Sequence, residues 1–132
     1  MAEGTTTDMS GGLYRRIYAG FLTGKRINSV SVGAEAWFWR LHAIADDFGN
    51  LPGDPRIARA FGAPLRDHDW SVEAIVSMTA ELEQQGLLTS YAVNGETFRH
   101  IDGFETRQPA NKSGRRIQRY PKPFSGNPGE SG

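Results

Sequence analysis

Between Trp70 and Ile101 the pattern of apolar and polar positions changes period once. Val72, Ile75, Val76, Thr79 and Leu82 recur at helical spacing, while Glu73, Glu81 and Glu83 lie mostly off that stripe. Ser71 stands where a helix N-cap accepts from a free backbone N–H, and Trp70 and Ile75 occupy the two positions of a hydrophobic staple. Gly86 follows the last turn, where a left-handed residue closes a helix. Residues 87–93 and 96–101 then flank Asn94-Gly95, the strongest short-range signal for a two-residue hairpin. That turn sets Val93 opposite Glu96, Tyr91 opposite Phe98 and Leu88 opposite Ile101. The aromatic pair falls on one face and the aliphatic pair on the other.

Two further helices are expected upstream. In the first, Val32 to Asp47, Ala34, Trp37, Phe38, Leu41, Ile44 and Ala45 define a buried face. Trp39, Arg40 and Asp47 fall off it. Asp46 to Asn50 ends this helix, and Leu51-Pro52-Gly53 reads as loop. Asp54-Pro55 opens a second, shorter helix with an N-cap carboxylate and Pro at the first helical position. Ile57, Ala58, Ala60 and Phe61 supply its apolar side, and Gly62 and Pro64 bound it. A helix feeding directly into a hairpin is the core of a winged-helix domain. The pattern therefore predicts an α+β fold, a winged helix-turn-helix with a three-helix core and a C-terminal β-hairpin wing. The domain is expected over 13–105. The first 12 residues are expected to be disordered, residues 13–21 form either a short helix or an extended arm, and 106–132 make a flexible basic tail.

Charge sharpens the picture. The 132 residues carry 15 basic and 15 acidic side chains, but these are segregated. From Leu13 to Val30 there are four basic residues and no acids. From Ser31 to Glu83 nine acids face four arginines, and from Thr106 to Lys122 six basic residues stand without an acid. A basic arm, an acidic middle and a basic tail suit nucleic-acid contact from the flanks. The chain has no cysteine, so disulfides and cysteine-based zinc sites are excluded. No signal peptide and no membrane-length apolar run is visible, and a cytoplasmic location is expected.

The order of elements, with these residues, resembles phage and prophage winged-helix proteins described as replication-initiation or replisome-organiser proteins, related to DnaD-type N-terminal domains. The matching run is 27–31 (Ile-Asn-Ser-Val-Ser), 34–41 (Ala-Glu-Ala-Trp-Phe-Trp-Arg-Leu), 45–50 (Ala-Asp-Asp-Phe-Gly-Asn), 54–56 (Asp-Pro-Arg), 81–88 (Glu-Leu-Glu-Gln-Gln-Gly-Leu-Leu) and 91–95 (Tyr-Ala-Val-Asn-Gly). Arg119-Tyr120-Pro121 resembles the short basic end that follows the wing. The likeness covers roughly Leu13 to Pro121; the Ala-Asp-Asp-Phe-Gly element is fairly distinctive, and the Leu-Glu-x-x-Gly-Leu-Leu element is common to many winged helices. The resemblance implies DNA binding at a replication origin or regulatory site, in partnership with replication proteins.

The third helix departs from a standard recognition helix. It holds three glutamates and no cation, and deep insertion would set carboxylates beside phosphates. The expected contacts to double- or single-stranded DNA are therefore Arg15, Arg16, Lys25 and Arg26 in the arm, Arg56 and Arg59 on the second helix, Arg99 in the hairpin, and Lys112, Arg115, Arg116 and Arg119 in the tail. For each the alternative is a structural or solvating role: packing of the arm, ion pairs with the acidic middle, or a solubilising tail. Core packing accounts for Trp37, Phe38, Trp70, Tyr91 and Phe98. Trp39, off the main stripe, is expected as a partner or homodimer surface. Asp46 and Asp47 are adjacent on a helix and diverge by about 100°, so a capping role is favoured over metal binding. His42, His68 and His100 follow no ligand spacing, and no nucleophile or phosphate-loop motif is present. No enzyme activity, metal or cofactor is expected. The rival function is a protein adaptor that docks a replication or regulatory partner through the acidic third helix.

Overall fold

The computed structural model describes residues 14–109, 114 and 116–123. Helix α1 spans Val32–Ile44, and Ser31 caps it by accepting from the Ala34 N–H at 3.1 Å. Ala34, Trp37, Phe38, Leu41 and His42 are its buried residues. The helix stops three residues short of the expected Asp47, with Ala45 already extended. The cause is local: the Asp46 carboxylate accepts from the Phe48 and Asn50 N–H groups, both at 3.0 Å, and so competes with continued helix. The chain turns into strand β1, Asn50–Pro52, where a loop was expected.

Helix α2, Pro55–Gly62, begins as predicted, with Asp54 accepting from the Arg56 N–H and Pro55 at the first position. Its packing face differs from the expected one. Ala58 and Gly62 are buried, whereas Ile57 and Phe61 point to solvent. The Trp37 ring decides this, because a methyl group at Gly62 would lie 2.8 Å from it. Only the small-residue side of α2 can approach α1 so closely, and the bulky side is turned outward.

Helix α3, Val72–Gln84, is capped by Ser71, which accepts from the Ala74 N–H at 3.1 Å. Ile75, Met78, Thr79 and Leu82 are buried. Val76, expected inside, is half exposed, and Met78 takes its place. Inside the helical layer the Trp37 Nε1–H donates to Thr79 Oγ1 at 3.1 Å, which satisfies both buried polar groups. Gly86, at φ +73°, ends the helix as expected.

Strands β2 (Leu88–Val93) and β3 (Glu96–Ile101) form the predicted hairpin in the predicted register. Asn94 and Gly95 both have positive φ, 53° and 81°, as a type I′ turn requires. β1 adds to β3, giving an antiparallel sheet of order β1-β3-β2. Leu51, Leu88 and Ile101 are buried on its inner side. A short helix α4, Phe104–Arg107, buries Phe104 beneath the end of α1. The architecture is α+β: four helices and one three-stranded antiparallel sheet among the described residues.

His42 is the one buried side chain among the described residues whose nitrogen, Nε2, lacks a partner. Its ring sits against Phe38, Trp39 and Phe104, with Nδ1 bonded to the Phe38 carbonyl at 2.9 Å. Burial lowers its pKa from 6.5 to about 4, and the charges of Arg107 and Arg15 push the same way. The unfolded chain binds a proton near pH 6.5 and the folded chain only near 4, so stability falls as pH drops through that window. The loss should total about 3 kcal/mol below pH 4. Urea unfolding at pH 7.5, 5.5 and 4 should show a steeper decline for the native chain than for His42→Phe, which removes this titration.

Candidate nucleic-acid interface

The cations expected to touch DNA separate into two groups. The first is committed to the fold. Arg15 closes the C-terminal end of α1, donating from Nε to the His42 carbonyl at 2.9 Å and from Nη2 to the Ala45 carbonyl at 2.8 Å. It also pairs with Asp47 at 3.2 Å and lies over the Phe104 ring. Arg59 donates to the Trp70 carbonyl at 2.6 Å, tying α2 to the start of α3. Arg99 pairs with Glu83 at 2.9 Å and donates to the Gly53 carbonyl at 2.7 Å. Its side chain lies on the inner face of the sheet against α3, not on a free polar face of the hairpin. Arg116 donates to the carbonyls of Asp47 and Gln108. Each of these four side chains is held within the fold by backbone carbonyls or a part-buried carboxylate.

The second group remains available. Arg16 is exposed; only its backbone is held, by a reciprocal pair of bonds with the buried Gln108 side chain. Lys25 and Arg119 are exposed, with no side-chain partner among the described residues. Arg26 is intermediate: it donates to the Gly86 carbonyl at the end of α3 and pairs with Asp102 at 3.0 Å, but stays half exposed. Among the described residues Arg56 pairs with its neighbour Asp54 alone, and this exposed contact holds the Asp54 carboxyl below its usual range. Lys112 and Arg115 lie outside the described residues. Lys122, overlooked in the sequence, stands 3.9 Å over the Phe48 ring.

Trp39 does not form the exposed surface expected of it. Phe21, from a 3-10 turn at Ala19–Thr23, packs edge-on against its ring at 5.3 Å, and Phe38 and His42 flank it. The arm folds back over the helix and covers the position that periodicity alone leaves outside.

Asp46 and Asp47 do more than cap. Asp46 is 1 % exposed, and its Oδ1 takes the Phe48 and Asn50 N–H groups. Its Oδ2 takes the N–H groups of Arg119 and Tyr120, both at 3.1 Å. Asp47 accepts from the Ile117 N–H at 2.8 Å and returns its own N–H to the Ile117 carbonyl. Residues 116–123, expected to be mobile, are thereby laid along the outer face of the hairpin. There Tyr120 meets Phe98 with ring centroids 6.3 Å apart, and the Tyr91 hydroxyl donates to the Pro121 carbonyl at 2.6 Å. Burial raises the pKa of both tyrosines.

The acidic character of α3 is largely internal. Both Glu81 oxygens are occupied by the N–H and hydroxyl of Ser31, at 2.7 and 2.8 Å, so this carboxylate anchors the start of α1. Glu83 is held by Arg99. The exposed face of α3 is Glu73, Val76, Ser77, Ala80 and Gln84, a nearly neutral strip with one acid at its first turn. Beside it, between α2, α3 and β1, lies a cleft of about 120 Å³ walled by Leu41, Leu51, Pro55, Ala58 and Val76.

No protein-family model, curated protein or solved structure matches the chain. No helix among the described residues is long and apolar enough to cross a membrane.

Two substitutions separate structural roles from contact roles. Asp46→Ala strands four backbone donors and should cost more than about 3 kcal/mol in denaturant unfolding. It should also speed amide exchange at Arg119 and Tyr120. Arg99→Ala should cost about 1–3 kcal/mol of stability through the stranded Glu83, and leave any DNA affinity of the folded fraction unchanged.

Proposed function

We propose that the chain is a winged-helix DNA-binding protein of phage or prophage origin, acting in replication initiation or phage gene control. The element order α1-β1-α2-α3-β2-β3 and the strand order β1-β3-β2 support a winged-helix reading, in which α2 and α3 would serve as the helix-turn-helix. The observation that carries the proposal is the exposed face of α3, which carries one acid, Glu73. Glu83 is ion-paired with Arg99 and Glu81 is turned to Ser31, which lowers the repulsion that a count of acids implies. What remains is a slim face bearing Ser77 and Gln84, which can hydrogen-bond base edges in a major groove. Phosphate contacts then fall to cations near that helix: Arg56 on α2, which crosses the backbone in this geometry, and Lys25 and Arg26 beside the C-terminal end of α3.

The reading is tested by fluorescence anisotropy with duplexes from the neighbouring phage DNA. Affinity should fall steeply with salt, and Arg56→Ala should lower the slope of log K against log salt by about 0.9. Gln84→Ala should reduce discrimination between sites more than it reduces overall affinity. A flat salt response, or no binding at low salt, counts decisively against it.

The adaptor reading draws support from a different feature. Ile57, Phe61 and Leu65 are 43 %, 58 % and 86 % exposed, and the apolar cleft lies beside α3. Partners that survive nuclease treatment, and are lost in Phe61→Ser, would favour it.

A further inference from the structure

Beyond the α3 face, we infer that the outer face of the hairpin is a second, separate site that binds single-stranded nucleic acid by stacking bases on Tyr91 and Tyr120 and holding phosphates with Arg119 and Lys122. It deepens the DNA-binding reading and rests on it, but uses none of the same residues.

Aromatic rings are gathered here with cations at their edges. Tyr91 and Phe98 stack across the strands with centroids 5.7 Å apart and planes 29° apart. Tyr120 lies next to Phe98, and Lys122 stands over Phe48. Phe98 is 6 % exposed and acts as the floor, whereas Tyr91, Tyr120 and Phe48 are all part-exposed. Strand binding without base-edge readout needs these two ingredients, since every base offers a π face and the backbone needs cations along its track.

The cations are poised rather than spent. Arg119 is anchored through its main-chain N–H to Asp46, which leaves the guanidinium exposed, and its charge reaches the Tyr120 phenol. The Lys122 ammonium has a ring as its contact, and that weak attraction is readily exchanged for a phosphate. Across β2 and β3 the outer face carries one carboxylate, Glu96, at the far end beside the turn. The Asp46 carboxylate beneath the site is held by four N–H groups, and its charge still reaches both phenols, which makes Arg119 and Lys122 the counterweight for a phosphate.

Fixing this platform also explains why the segment 116–123 is held so firmly. Asp46 and Asp47 bind its main chain through Ile117, Arg119 and Tyr120, and the Tyr91 hydroxyl binds it again at Pro121. Main-chain anchoring sets the side chains of 119, 120 and 122 without consuming them.

The test uses the full chain, a labelled oligothymidine of about 15 nucleotides, and a duplex of similar length measured in parallel. The oligothymidine should bind, with a salt slope that drops by about 1.4 in the double variant Arg119→Ala, Lys122→Ala. Affinity should fall roughly tenfold in that variant and roughly fivefold or more in Tyr120→Leu, while duplex affinity changes less than about twofold. Melting curves of each variant show that the fold is intact. Duplex binding without oligothymidine binding, or an undiminished affinity in the folded double variant, overturns the second site and leaves the α3 reading standing. Loss of both activities in the native chain overturns both.

Discussion

A buried carboxylate that must be satisfied organises this domain. Asp46 sits at 1 % exposure, and four backbone N–H groups converge on its two carboxylate oxygens. Two of these donors are its near neighbours and two lie more than 70 residues away. The first two stop α1 and turn the chain into β1; the others carry residues 116–123 across the hairpin. Asp47 repeats the device one residue on, holding Arg15 of the arm and Ile117 of the same strap. Two adjacent side chains thus join the arm, the helical core, the sheet and the C-terminal strap.

The same economy governs the other charges. Glu81 anchors the start of α1 and Glu83 the inner arginine of β3. Arg15, Arg59 and Arg116 go to carbonyls left open at helix ends and turns. In a chain with no net charge and a segregated sequence, five of the acids among the described residues, Asp47, Asp54, Asp69, Glu83 and Asp102, are paired with arginines of the same domain. The exposed cations Arg16, Lys25, Arg119 and Lys122, which lack a carboxylate partner among the described residues, lie at the periphery, as does Arg56 in its exposed pair with Asp54.

Local physics was legible wherever it is self-contained. The Ser31, Asp54 and Ser71 caps, the Gly86 stop and the Asn94-Gly95 turn depend on atoms within a few residues, and each can be read from the chain. The hairpin register followed because a two-residue turn admits one pairing. Helix faces were less legible. Ile57 and Phe61 look like a core stripe until the Trp37 ring demands the close approach of Gly62, and Val76 and Met78 exchange places by a small rotation that periodicity does not resolve. Trp39 was misjudged because its cover, Phe21, comes from an arm with no regular pattern of its own.

The sequence by itself determined the α+β element order, the caps, the turn and the segregation of charge, because propensity, capping and alternation act over short spans. Tertiary structure alone decided which charges are free. An arginine reads the same whether it meets a phosphate, a distant carboxylate or the end of a helix, and only long-range packing selects among these. It also decided that the basic tail is in part a strap, since the bonds holding it come from Asp46 and Asp47, 70 or more residues earlier in the chain.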